Sequence, residues 1–231
     1  MNLAIAGYGK MGRLVEQLAP EYGFDVKHKL NRQNNGAFEA LTPEKFRGID
    51  VAVEFSTPAV APENIVRLAQ LGVNVVTGTT GWLGEIDRVR KAVEKAGVGC
   101  VWSPNFSVGV HVFTQIIVRA AELLETESEY GAWAWEIHHA AKKDAPSGTL
   151  KALVETMRRS GYTRRIDESS SRAGSQPGTH EIGWDSPGDT ITIRHTARSR
   201  EGFARGALRA ARWVTGKKGL FDFRDVVGEL G

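Results

Sequence analysis

Short β-branched runs alternate with amphipathic stretches through the first hundred residues. The apolar run "LAIA" (residues 3–6) reads as a buried strand, and Met11, Leu14, Val15 and Leu18 then recur at helical spacing until Pro20 stops the pattern. "FDVKHKL" (24–30), "VAVEF" (51–55), "VNVVT" (73–77) and "GCVW" (99–102) predict four further strands. Residues 58–71 and 84–96 predict helices, ended by Gly72 and Gly97. Strand–helix alternation with such short connections predicts an α/β fold: a doubly wound parallel sheet of Rossmann type, covered on both faces.

After about residue 105 the pattern changes. A long helix is predicted over 108–124. "YGAWAWEIHH" alternates as a strand, with Trp133, Trp135 and Ile137 on one side. Leu150, Leu153, Val154 and Met157 share one face of a helix that Gly161 ends. Residues 164–178, rich in Ser, Arg and Gly, read as a mobile loop. "THEIGWD" and "TITIRHTAR" flank "SPGD", a hairpin pattern. A last helix is predicted over 201–214, before the tail "GLFDFRDVV". This half reads as an α+β domain with a mixed or antiparallel sheet.

Composition narrows the function classes. The chain has 231 residues, 41% hydrophobic and 25% charged, which argues against disorder or fibre. A net charge of +3 without any Lys/Arg-rich run gives no reason to expect nucleic acid and suits a small anionic substrate. The single cysteine, Cys100, excludes an intrachain disulfide and a four-Cys zinc site. The N-terminus enters "MNLAIAGYG" with no leader pattern, and no apolar run reaches membrane-spanning length, so a cytoplasmic address without a membrane partner is expected.

The candidate chemistry lies in two places. Gly7-x-Gly9-x-x-Gly12 follows a strand and opens a helix, the context in which that spacing means dinucleotide binding. Gly7 permits the tight turn, Gly9 lets a pyrophosphate reach the main chain, and Gly12 lets helix and strand pack. After the second strand the usual acidic residue is missing. Asn31 and Arg32 stand there instead, and Arg32 is either a partner for a 2′-phosphate or a solvated surface charge. The loops "GTTGW" (78–82) and "SPNFSVG" (103–109) end strands four and five, where a parallel sheet binds ligands.

The second place is "WEIHHAAKKDAPSGTL" (135–150). Asp144 and Ser147 are both suitable N-caps, and Gly148 and Thr149 fall at the helix start, where backbone N–H groups and the dipole favour a carboxylate. His138 and His139 point to opposite sides of a strand, so only one faces the cavity. Lys142 supplies a cation that neutralises a carboxylate or donates a proton. Adjacent histidines lack helical zinc-pair spacing and no cysteine lies near, so no metal is expected.

These residues resemble the dihydrodipicolinate reductase family. "EIHHAAKKDAPSGT" (136–149) is similar to its signature E-x-H-H-x-x-K-x-D-A-P-S-G-T, and "GYGKMGR", "GTTG", "NFSVGV", "RAGSQPGTHEIGW" and "HTARSREGFARGALRAARW" resemble further family blocks in order. The resemblance implies an NADPH- or NADH-dependent oxidoreductase that reduces 4-hydroxy-tetrahydrodipicolinate in lysine and diaminopimelate synthesis. It implies His138 as proton donor and Lys142 as second catalytic residue, with His139, Ser147, Gly148 and Thr149 on the dicarboxylate substrate. The cofactor would lie on Gly7, Tyr8, Gly9, Lys10, Met11, Gly12, Arg32, Gly78, Thr79, Thr80, Ser103, Pro104, Asn105 and Phe106. It further implies a homotetramer, and a tail that rejoins the nucleotide domain. The expected domains are 1–106 with about 200–231 for nucleotide, and 107–199 for substrate and oligomerisation. Two other readings are a reductase of a different anionic oxo- or imino-acid on the same plan, and a nucleotide sensor without catalysis.

Overall fold

The computed structural model describes residues 1–230, which divide into two compact units: Met1–Val108 with the segment from Arg200 onward, and Gly109–Ser199.

The first unit opens with β1 (Asn2–Ala6), α1 (Lys10–Leu18) and a 3-10 turn over Ala19–Tyr22 in which Pro20 ends the α-helical pattern. It continues through β2 (Asp25–Leu30), the one-turn α2 (Pro43–Phe46), β3 (Val51–Glu54), α3 (Ala61–Gln70), β4 (Asn74–Thr77), α4 (Ile86–Ala96) and β5 (Gly99–Trp102). The chain then enters α5 (Val108–Leu124), which begins the second unit with β6 (Gly131–His138), α6 (Gly148–Arg159), β7 (Ile166–Arg172), β8 (Thr179–Asp185) and β9 (Thr190–Thr196). α7 (Glu201–Val214), β10 (Gly219–Asp222) and the short α8 (Phe223–Val226) return to the first unit.

The first sheet is parallel, in the order β10-β5-β4-β3-β1-β2. Its inner strands β1, β3, β4 and β5 are largely apolar on both faces because both are covered, whereas the edge strand β2 alternates with polar residues. Leu3, Ile5, Val51, Val53, Val76 and Val101 pack with Ala204, Leu208 and Ala211 of α7. The alternate residues Ala4, Ala52, Val75 and Cys100 pack with Ile65 and Leu68 of α3 and with Val89 and Val93 of α4. Strand order reverses beside β1, since β2 lies on one side and β3 on the other. The crevice at the carboxyl ends of β1 and β3 is therefore the expected ligand position.

The second sheet has the order β7-β6-β8-β9 and is mixed: β6 pairs parallel with β7 and antiparallel with β8, and β8 with β9. The hairpin read from "SPGD" is present as β8 and β9. One expectation needs correction. Residues 164–178 are not one mobile loop, because Ile166–Arg172 form β7, in register with β6. The Trp133, Trp135 and Ile137 side of β6 is only half-buried, whereas the fully covered face carries Ala132, Ala134, Glu136 and His138. Small side chains on that face let α5 and α6 pack through Phe113, Ile117, Leu150, Leu153 and Met157. Among the described residues no helix is long and apolar enough to cross a membrane.

Candidate active site

In the first unit, the glycine turn is built by backbone geometry. Gly7 has φ +96°, and a Cβ there would fall 2.2 Å from the Phe55 carbonyl oxygen. A Cβ on Gly12 would fall 2.5 Å from the Gly7 oxygen, so α1 packs on the turn only without a side chain. Gly9 differs: it caps α1, and a Cβ there would meet nothing within 4 Å. The backbone at Gly9 is thus open to an approaching group, in front of the first-turn N–H groups of Lys10, Met11 and Gly12.

That turn borders a groove of about 610 Å³, lined also by Tyr8, Asn31, Arg32, Phe55 and Asn64. A second hollow of about 430 Å³ shares Gly9 and Phe55 and reaches Lys10, Met11, Gly78, Thr79 and Thr80. Thr79 Oγ1 accepts the Ser56 N–H at 2.9 Å, which ties the loop after β4 to the loop after β3. The Phe55 ring occupies the space a Gly78 side chain would need, 2.0 Å from its ideal Cβ. Ser103 Oγ donates to the Asn105 carbonyl at 2.7 Å and shapes the loop after β5, on which Pro104 is exposed. Phe106 lies in the core against Phe223, with ring centres 4.7 Å apart, so its ring is structural.

In the second unit, β6 ends by placing Glu136 and His138 on the same buried face, two residues apart. Glu136 is fully buried and all its acceptor directions are used. Oε1 accepts Arg172 Nη2–H at 2.8 Å and the Ser147 N–H at 3.1 Å. Oε2 accepts Arg172 Nη1–H at 3.0 Å and pairs with His138 Nδ1. Burial alone would raise this carboxyl, but the Arg172 guanidinium, then the Ser170 hydroxyl, His138 and the Ser147 N–H, outweigh it and hold it at about 2.

Ser147, not Asp144, is the N-cap of α6: its Oγ accepts the Leu150 N–H at 3.1 Å. The same Oγ lies 3.1 Å from His180 Nε2. Gly148 and Thr149 follow as the first turn, and a Cβ on Gly148 would meet nothing within 4 Å. Lys142 is bound through its ammonium to both Asp144 carboxylate oxygens, at 2.7 and 2.9 Å. His139, beyond the end of β6, is half-buried, and its carbonyl accepts the Lys142 N–H at 3.0 Å. Of the two histidines it is His138 that enters the buried network.

The family model for the dihydrodipicolinate reductase N-terminus matches residues 1–106, and that for the C-terminus matches residues 109–227. The chain belongs to the dihydrodipicolinate reductase family. The 4-hydroxy-tetrahydrodipicolinate reductase of Christiangramia forsetii is 34% identical, with 100% of this chain and 99% of that one aligned. The enzyme of that name from Cupriavidus necator is 33% identical over 99% of each chain. The dipicolinate-bound dihydrodipicolinate reductase of Paenisporosarcina sp. superposes with a TM-score of 0.81, at 22% identity over 98% of this chain and 99% of that one.

As a dihydrodipicolinate reductase family member the chain is an oxidoreductase with a dinucleotide-binding Rossmann fold, and the family uses a nicotinamide dinucleotide. Sequence reasoning gave no role to Glu136, Arg172, Gly178 or His180. Glu136 stood inside the signature, but its role depends on β7. That strand pairs His138 with Arg172 in register and so delivers the guanidinium beside the carboxylate. Gly178 and His180 lie in the quoted block "RAGSQPGTHEIGW", without any spacing that marks them as neighbours of His138.

Proposed function

We propose that the protein reduces 4-hydroxy-tetrahydrodipicolinate to tetrahydrodipicolinate with NADPH or NADH, in the lysine and diaminopimelate route. The observation that carries this reading is the buried imidazole of His138, fixed on an ionised carboxylate in the same network as the first turn of α6. A nicotinamide dinucleotide suits the first unit because Gly9 leaves open backbone at a helix start and Gly7 holds a turn that no side chain could enter. When bound, the reduced nicotinamide supplies a hydride.

The rest is the work of this chain. The N–H groups and dipole at Gly148 and Thr149, with His139 and the Ser147 cap, hold one ring carboxylate and orient the ring. Lys142 leaves Asp144 for the substrate and stabilises the negative charge that spreads over the ring nitrogen and carboxylate after hydride addition. His138 gives its proton to the adjacent ring carbon, and water leaves from the 4-hydroxy form. On the nucleotide side, Tyr8 to Gly12, Thr79, Thr80, and the backbone from Ser103 to Phe106 line the cofactor position. Asn31 Oδ1 is occupied by the N–H groups of Gln33 and Asn34, so this end offers a cation, Arg32, and no free carboxylate, which favours a 2′-phosphate.

We further propose a homotetramer in the cytoplasm. Val112, Ile116 and Leu123 form an exposed apolar stripe on α5, which supports assembly of the second unit with copies of itself.

The test is oxidation of NADPH and NADH, side by side, on adding the cyclic substrate, with His138→Gln and Lys142→Ala as controls. Turnover by the wild type and loss of kcat by at least about 10²-fold in both variants, with nucleotide binding retained, is the expected result. Full turnover in both variants would remove the assignment.

A further inference from the structure

We propose that Glu136 and Arg172 form a positioning pair that sets the tautomer and aim of His138, and that the same pair fixes the start of α6. The inference deepens the proposed function and rests on its assignment of His138 as proton donor.

Hydrogen-bond stoichiometry carries the argument. An ionised carboxylate only accepts. Glu136 is buried completely and takes two hydrogens from Arg172 and one from the Ser147 amide. The same carboxylate meets His138 Nδ1, and since it cannot donate, that nitrogen must carry the hydrogen. Nε2 is then the nitrogen left to exchange a proton with substrate. In the step itself the Nε2–H bond breaks, its proton goes to the ring carbon, and the pair of electrons stays on Nε2. The imidazolium becomes the Nδ1–H neutral ring, while Glu136 stays ionised throughout.

Arg172 makes this arrangement stable. A buried carboxylate facing one imidazole would be costly, and the planar guanidinium fork satisfies both oxygens at once. Arg172 is fixed in turn by the carbonyls of Ser171 at 2.6 Å and Asp144 at 2.5 Å. The second of these binds the loop that carries Lys142 and leads into α6. One carboxylate and one guanidinium therefore register the proton donor, the lysine loop and the helix start with one another. The role is positional, because neither residue touches the reacting atoms.

The experiment compares wild type, His138→Gln, Glu136→Gln, Arg172→Lys and Arg172→Ala. Glu136→Gln keeps the shape and removes the charge. Its kcat should fall about 10²-fold, with nucleotide Kd changed by less than about twofold and the pH profile of kcat displaced. Arg172→Lys should recover part of the turnover that Arg172→Ala loses. Wild-type kcat and an unmoved pH profile in folded Glu136→Gln would overturn the pair while leaving His138 in place, provided His138→Gln is inactive. If His138→Gln is fully active, the proposed function's proton donor has failed and the pair fails with it. If Glu136→Gln does not fold, the nitrogen shifts of labelled histidine in the wild type decide. A neutral His138 ring protonated on Nδ1 supports the pair, and one protonated on Nε2 refutes it.

Discussion

The imidazole of His138 meets that of His180 edge-on, with ring centres 5.1 Å apart and an interplanar angle of 72°. Two histidines in this contact cannot both be charged at low cost. Burial, then the neighbouring His138, pushes the His180 ring down to about 4. His180 is therefore the neutral partner of the pair.

That asymmetry predicts a pH dependence of stability. The His180 ring titrates lower in the folded protein than in the unfolded chain, so the unfolded state binds the proton first as pH falls. The stabilisation is complete above about 6.5 and is lost on descending to about 4. Urea unfolding across that window should show a loss on the order of 3 kcal/mol from this group. His180→Asn should flatten the wild-type slope by that amount. An equal slope in both proteins would mean that His180 is not held neutral.

Glu136 acts in the same direction at lower pH. Its folded value of about 2 lies below the ordinary glutamate value of 4.5, so its contribution is present above about 4.5 and disappears as pH falls toward 2. Arg172→Ala should move the onset of acid unfolding upward, a shift readable by circular dichroism against pH.

Gly178 lies against the Nε2 edge of the His138 ring. It has φ +137°, and a Cβ there would fall 2.7 Å from His138 Nε2. Gly178→Ala should cost about 1–3 kcal/mol of stability by backbone strain and reduce kcat at least about tenfold by displacing the ring. Wild-type turnover in a folded Gly178→Ala would show that Nε2 is not the nitrogen that matters.

Gly148 presents the opposite case. Nothing stands within 4 Å of its ideal Cβ, and alanine favours a helix more than glycine does. Gly148→Ala should fold with an equal or higher Tm yet raise the KM for the dicarboxylate about tenfold, and weaken 2,6-pyridinedicarboxylate competition in parallel. Unchanged KM and inhibition would separate the α6 start from substrate binding.

Arg32 tests the nucleotide end. Arg32→Ala should raise the KM for NADPH about tenfold and leave that for NADH within about twofold. Equal effects on both would place Arg32 on a part common to the two nucleotides.

Much of this molecule is legible in its residues, for physical reasons that differ by element. α5 and α7 were readable to the residue because their apolar positions follow the helical period. The inner parallel strands were readable because a sheet covered on both faces is apolar on both sides of each central strand. β7 was not. "IDESSSR" has no apolar alternation, since one strand edge and backbone pairing with β6 hold it rather than a buried face. Missing β7 meant missing Arg172, and without Arg172 a buried Glu136 has no rationale. The tryptophans of β6 share one face as their alternation implies, while the alanines of the other face make room for the helices. The residues alone left open which of His138 and His139 is buried, and the resemblance named His138; the end of β6 places His138 on the buried face.

The position of β10 has a consequence for biosynthesis. This strand comes from the last stretch of the polypeptide, yet it hydrogen-bonds along β5, whose residues left the ribosome more than a hundred codons earlier. The opening half of the translation product must wait with that edge bare while the whole intervening unit is made. Premature termination anywhere before Gly219 would release a chain with an unprotected parallel edge, a substrate for chaperones and proteases rather than a smaller enzyme.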